Sequence, residues 1–242
     1  MFASFIKNAI RKDLAKMTHA KWTTSPTDLT DIYRLRYNVM VKDAKVNPFP
    51  PTHYCIRNGN EFRDDYDNSP HTKHFLVRNK DGKAVAAHRI LNGNHLQFEI
   101  DTFDWFALDK HTETTHINPK NVVEPTRVVA CRSIRGQHYT VMMLTASLLQ
   151  IYDDRYESIL GVVNADALPL IKHYQFFMPA LKQISTEKFG VDEFIQGRSC
   201  HAFNLYIGTS DYARNRYIWT TLLPCALLYK MMYIRDIMHI YL

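Results

Sequence analysis

The sequence predicts a mixed α/β fold: helices first, then a strand meander, then a βαβα succession. Three stretches carry that prediction. His74–Val77 and Ala84–Leu91 flank Asn79-Lys80-Asp81-Gly82-Lys83, a hairpin whose Asp-Gly pair supplies the turn. Leu29, Ile32, Tyr33, Arg36 and Met40 fall on one stripe at helical spacing. Ile159-Leu160-Gly161-Val162-Val163 is a short continuous apolar strand, as expected in a sheet covered by helices. With 46% apolar residues among 242, and no repeat, low-complexity tract or interdomain linker, the chain has material for one sizeable core.

In chain order, residues 1–24 form an extension whose Phe2, Phe5, Ile6, Ala9, Ile10 and Leu14 follow helical spacing. Lys7, Arg11, Lys12 and Lys16 give it a basic face. Packing against the domain is the first expectation for this helix, and peripheral contact with a membrane or an acidic partner the second. Residues 25–210 form the main domain. Ser25-Pro26-Thr27-Asp28 starts its first helix with a capping hydroxyl, a proline in the first turn and an acid near the positive end of the macrodipole. Residues 45 to 72 read as a long irregular connection, rich in proline and ending in Arg63-Asp64-Asp65-Tyr66-Asp67-Asn68.

After the hairpin, His95–Ile100 is a candidate strand. Phe103, Trp105, Phe106 and Leu108 form an aromatic cluster suited to a core or an acyl pocket. Val122–Arg132 is a strand and His138–Tyr152 a mostly buried helix. A helix begins near Ala165, and Phe176–Ile184 and Ser199–Ile207 are extended. Residues 211–242 return to helix, packed on the domain. Ile218–Ile234 is strongly apolar, but Pro224, Lys230 and its length argue for a core helix rather than a span.

Composition excludes several classes. Cys55, Cys131, Cys200 and Cys225 make no C-x-x-C pair, and the histidines make no H-E-x-x-H, so neither a redox motif nor a metal is expected. The N-terminal run lacks an uncharged h-region, so a cytoplasmic protein with reduced thiols is expected. A formal charge of +6 favours acidic partners without choosing among them.

The anomalies are charges inside apolar patterns. Arg36 projects from the buried stripe of its helix, and Arg89 lies within a strand of alanine and isoleucine. Glu124 and Arg127 interrupt the strand Val122–Arg132. Buried ions require partners, so these four point to an internal ion-pair network or a reaction centre, with the acids of 64–67 as candidate partners. Strict alternation places Glu124 and Arg127 on opposite faces, so a common site requires a bulge or kink near Pro125.

Arg36-Tyr37-Asn38-Val39-Met40, Asp64-Asp65-Tyr66-Asp67, Ala87-His88-Arg89-Ile90-Leu91 and Glu124-Pro125-Thr126-Arg127 together resemble, in order and spacing, the motifs of acyl-homoserine lactone synthases. The similarity extends over about residues 25 to 165 and includes the related N-acyl amino acid synthases. It implies the fold of GCN5-related N-acyltransferases (GNAT), a mixed, mostly antiparallel central sheet with helices on both faces. It also implies an acyltransferase drawing fatty acyl groups from acyl carrier protein. By this resemblance Arg36, Asp64, Asp67, Arg89, Glu124 and Arg127 correspond to the charged set that shapes the site. Within it Glu124 and Arg127 are the candidate catalytic residues and Arg36, Asp64, Asp67 and Arg89 candidate substrate contacts, joined by Phe106 of the aromatic cluster; Val129, Cys131, Arg135 and Gly136, on the strand and the loop after it, are the candidate donor-binding residues.

Val46 stands where lactone synthases carry a tryptophan, and Met40 replaces their phenylalanine. Both differences favour an amino acid acceptor, giving an N-acyl amino acid, over a sulfonium nucleoside. Lactone synthesis and a non-catalytic acyl-binding module are the alternatives. Coenzyme A acetyltransferases normally carry an R/Q-x-x-G-x-G/A turn that holds the pyrophosphate at a helix N-terminus. Only Gly136 fits here, followed by Gln137-His138. An acyl-phosphopantetheine on acyl carrier protein suits that loop, with a coenzyme A thioester as the other donor. No tightly bound cofactor and no nucleic acid partner are expected. Arg63, Lys73 and the basic N-terminal face are candidates for carrier docking. A catalytic role for Cys131 is disfavoured, because no base stands beside it in the sequence.

Overall fold

A computed structural model describes residues 2–16, 20–43, 54–57, 59–92, 119–134, 138–164, 172, 175, 181–183 and 200–240. Its helices are α1 (Phe2–Lys16), α2 (Pro26–Arg36), α3 (His138–Asp153), α4 (Asp211–Tyr217) and α5 (Leu223–Ile240). Its strands are β1 (Ala20–Thr23), β2 (Tyr54–Arg57), β3 (Glu61–Asp64), β4 (Lys73–Arg78), β5 (Ala84–Asn92), β6 (Val122–Ala130), β7 (Ser158–Asn164), β8 (Leu181–Gln183) and β9 (Cys200–Tyr206). Seven strands make one sheet in the order β1-β4-β5-β6-β7-β9-β8, and β2-β3 form a separate ribbon. All neighbours are antiparallel except β6 and β7, which are parallel.

The β4–β5 hairpin closes through Asn79, whose amide donates to the Lys83 carbonyl at 2.9 Å. The Asn79 side-chain oxygen accepts from the amides of Asp81 and Lys83. Gly82 takes φ 75°, which its lack of a Cβ permits. Period two then divides the hairpin between two faces. Leu76 and Ala87 join Val129 against Ile32, Tyr33 and Leu35 of α2. Phe75, Val77 and Ala86 pack on the other face against Met142 and Met143 of α3 and Tyr229 of α5. The sheet is therefore covered on both sides.

The start of α2 departs from expectation. The Ser25 side chain makes no capping bond. Asp28, one turn in, is the organising acid: it accepts from Thr23 at 2.7 Å and pairs with Lys21 and Arg78, tying α2 to β1 and β4. Burial works against its charge, but those partners hold its carboxyl down at about 2.

The apolar face of α1 is narrower than its sequence suggests. Ile6 and Ile10 enter the core with Leu148 and Leu222, whereas Phe5 is 69% exposed. Two cations of its basic face, Lys7 and Arg11, pair with Asp153 of α3.

Between α4 and α5 the backbone widens into a π-helical turn at Ile218–Leu222. Pro224, the second residue of α5, has no N–H to donate to the preceding turn and a ring that crowds it. The wide turn absorbs both defects. Among the described residues no helix is long and apolar enough to cross a membrane. The candidate strand at 95–100 and most of the candidate helix from 165 lie outside the described residues.

Candidate functional site

Five of the charged residues singled out by sequence form one buried network. Arg36, the last residue of α2, donates through Nη1 to both carboxylate oxygens of Asp67, at 2.8 and 2.9 Å. Arg89, in β5, reaches Asp67 at 2.9 Å, Asp64, and the hydroxyl of Thr126 through Nε at 2.8 Å. Arg127 donates from Nε to Asp64 at 3.1 Å. Arg36 and Arg89 are completely buried, and both acids are at most 7% exposed.

The acids are set by a tight turn of the chain. Asp64 ends β3 and Asp67 lies in the 3₁₀ turn Asp65–Asn68. Their side chains and amides bond reciprocally, Asp64 N–H reaching Asp67 at 3.0 Å. One carboxylate thus satisfies a backbone donor and two guanidinium groups, which makes burial of so many charges tolerable. Tyr66, on the same turn, lies 5.2 Å below the Arg89 guanidinium.

The irregularity that the strand required is a β-bulge at Arg127. Thr126 pairs with Arg89, but Val129 pairs with Ala87, so two residues of β6 oppose His88. Arg127 takes φ 53°, in the left-handed region. The extra residue returns its side chain to the face carrying Thr126 and Glu124, where Asp64 waits. Glu124 is 2% exposed and opposes Leu91 on that face, two residues before Thr126.

Electrostatics follow from this packing. Burial raises Asp67, but Arg36 and Arg89 outweigh it and hold the carboxyl well below the usual range. Burial above all, with Arg36 beside it, pushes His74 down to about 4 even though Asp67 lies 3.9 Å away. Its imidazole is therefore neutral near pH 7. Among the described residues, Nε and Nη2 of Arg36 are buried and meet no hydrogen-bond partner.

Beside the network β6 and β7 part company. Their parallel pairing consists of Val122 with Ser158 and Val123 with Ile159, although β6 continues to Ala130 and β7 to Asn164. Val129 is buried against α2, and the Cys131 amide donates to the Val85 carbonyl at 2.8 Å. Antiparallel alternation turns the Val129 amide toward β5 as well, and that of Ala130 toward the β7 side. The backbone of Val129 and Cys131 is thus engaged with β5 rather than presented between the parting strands. Phe106, Arg135 and Gly136 lie outside the described residues.

The docking candidates are also engaged within the chain. Arg63 bonds Glu61 at 2.6 Å and stacks 4.4 Å over Tyr33, and Lys73 pairs with Asp154 at 2.6 Å. Among the described residues no group of three or more His, Cys, Asp or Glu is placed to hold a metal ion.

Sequence reasoning missed Thr126 and His74. Period two puts Thr126 on the face of Glu124, so it was accessible to the same argument. His74 belongs to the site because β4 pairs it with Arg89, a register no local pattern announces.

No family model and no curated sequence matches the chain. Solved structures do. TofI, determined in a ternary complex with an inhibitor and MTA, superposes with TM-score 0.59 and 15% identity, over 86% of this chain and 100% of its own. BjaI, a CoA-dependent acyl-homoserine lactone synthase determined with SAM and isopentyl-CoA, gives 0.59 and 13%, over 88% and 99%. FeeM, an N-acyl amino acid synthase from uncultured soil microbes, gives 0.55 and 11%, over 81% and 96%. The chain therefore has the GNAT-like fold shared by acyl-homoserine lactone synthases and an N-acyl amino acid synthase.

Proposed function

We propose that the protein is a cytoplasmic N-acyltransferase that moves a fatty acyl group from an acyl-carrier-protein thioester to the amine of an amino acid, giving an N-acyl amino acid. The observation that carries this reading is the buried network of Arg36, Asp64, Asp67, Arg89 and Arg127, built at the β6 bulge and on the face that holds Glu124. An ordinary core has no use for three arginines; a site that must hold a polar acceptor against an acyl chain does.

In the proposed reaction the neutral amine attacks the thioester carbonyl. A C–N bond forms and the C–S bond breaks. Glu124 accepts the amine proton, directly or through water, and the proton leaves with the departing thiol. Arg127, held by Asp64, faces the charge that develops at the carbonyl oxygen. No covalent enzyme intermediate is needed, and no tightly bound cofactor. The Nε/Nη2 edge of Arg36, buried and without a hydrogen-bond partner among the described residues, has the fork geometry that takes a carboxylate in two parallel bonds, which suits an amino acid acceptor. Support for a carrier-protein donor is the loop after β6, with Gln137-His138 where coenzyme A enzymes carry small residues, together with the chain's net positive charge.

The test is product analysis. Purified protein is given matched acyl-carrier-protein and acyl-CoA donors with a mixture of amino acids and S-adenosylmethionine, and lipid extracts of producing cells are compared by mass spectrometry. N-acyl amino acids formed from the carrier donor are expected. Acyl lactones would reassign the acceptor, faster turnover with acyl-CoA would reassign the donor, and no new lipid with any donor would leave an acyl-binding module.

A further inference from the structure

We propose that α5 docks the protein on anionic membrane surfaces, with Leu227, Met231, Ile234 and Met238 entering the boundary between headgroups and acyl chains and Lys230 and Arg235 reaching the phosphates. These four apolar residues are 52%, 69%, 56% and 56% exposed. At 100° per residue they fall within a stripe about 60° wide, running the length of the helix.

The opposite face of α5 is already used: Cys225, Ala226 and Tyr229 are buried against the domain. A helix apolar on both faces belongs neither in water nor, once docked on its own domain, in the interior. Phe5 of α1, 69% exposed, extends the apolar surface. A groove of about 130 Å³ lined by Phe5, Ala9 and Leu227 joins the two helices.

Charge selects the occupant. Lys230 and Arg235, with side chains 54% and 48% exposed, flank the stripe on its two sides. Every exposed ionisable residue described on α5 is a cation, and Lys12 is exposed on α1. The nearby acids Asp13 and Asp236 are paired with Lys230 and with Arg235 and His138. A second copy of the chain would set these cations against their own kind across a two-fold axis. An anionic bilayer offers them phosphates while its acyl chains take the stripe, the arrangement of an interfacial amphipathic helix. Because α5 is too polar to span, it lies in the plane of the surface. This contact is made through α5, with Phe5 of α1 at its margin, rather than through the basic face of the N-terminal helix that the sequence suggests.

The test is co-sedimentation of the full chain with sucrose-loaded vesicles of phosphatidylcholine, alone or mixed with phosphatidylglycerol. Binding to the mixed vesicles is expected, weakening as salt rises, with little binding to phosphatidylcholine alone. The double variant Met231→Gln/Ile234→Gln touches only exposed positions. It is expected to keep the wild-type circular dichroism and melting temperature and to lose binding at least about tenfold. Arg235→Gln is expected to weaken binding about fivefold, the effect of one surface cation. Absence of binding, or equal binding by the double variant, overturns the proposal. So does a dimer in light scattering that the double variant dissolves while neither protein binds vesicles, which assigns the stripe to a second copy.

Discussion

Arg127 reaches Asp64 because its backbone adopts φ 53° in the middle of a strand. A regular β6 would turn that guanidinium to the opposite face of the sheet, away from both acids. The bulge therefore converts two residues of odd spacing, Glu124 and Arg127, into neighbours of one site.

A left-handed conformation is costly for any residue with a Cβ, so two substitutions separate the backbone from the charge. Both Arg127→Gly and Arg127→Ala lose the ion pair, but only alanine retains the strain. The alanine variant should be less stable than the glycine variant by about 1 kcal/mol in urea titrations, and both should lose acyl transfer. Equal midpoints would mean that the bulge relaxes without its arginine.

Asp67 holds two buried arginines, so its charge is costly to lose. Asp67→Asn leaves Arg36 and Arg89 short of a counter-charge and should cost about 3–5 kcal/mol by chemical denaturation. Arg36→Met alone leaves Asp67 with Arg89 and should cost less. The double variant should be more stable than the sum of the two losses predicts, because the partners being removed are the same. Strict additivity would show that the 2.8 Å pair contributes nothing specific.

Acid should loosen the protein before any carboxylate of the network titrates. Burial, with Arg36 beside it, holds His74 down at about 4 from an ordinary 6.5. Burial, His74 and Arg36 hold His88 down at about 3, on the opposite face of β5, where its Nε2 meets Ser147 at 2.9 Å. A base depressed in the folded state contributes stability in full above 6.5, lost as the unfolded chain takes up the proton below that value. Stability should thus be level between about pH 7 and 8 and fall below about 6.5, by up to about 1.4 kcal/mol per pH unit for each histidine. Asp67 adds its own loss as the pH falls through the ordinary carboxylate range, where the unfolded chain takes up that proton. Melting temperatures across this window check the onset, and His74→Gln should reduce the slope. A curve level down to pH 4.5 would contradict neutral buried histidines.

Much of this site was legible because burial of charge is conspicuous in sequence. Arg36 on an apolar helical stripe and Arg89 in an alanine-rich strand demanded acids, and Asp64 and Asp67 were the nearest unexplained ones. The need for a bulge followed from parity alone. What was not legible depends on contacts between distant segments. His74 enters through the β4–β5 register, and the true tether of α2 is Asp28 rather than Ser25 because Lys21, Thr23 and Arg78 converge on it. The exposed stripe of α5 was likewise hidden. An apolar run reads as core until packing shows which face the domain has left uncovered.

Glu124 is the residue on which the proposed chemistry turns. Its carboxyl lies on the buried face of β6 with Thr126, at 2% exposure, and glutamine fills the same space without accepting a proton. Glu124→Gln should retain the melting temperature to within a few degrees while acyl transfer falls about 10²–10⁴-fold, the range of a positioned general base. A purely structural carboxylate would show the reverse, a large loss of stability with turnover following the folded fraction. The pH profile separates the two further. Without an internal base the variant depends on amine that has already lost its proton in solution, so its rate should climb with pH more steeply than the wild type's. Near-normal turnover, or a parallel profile with a lowered melting temperature, would remove Glu124 from the base role.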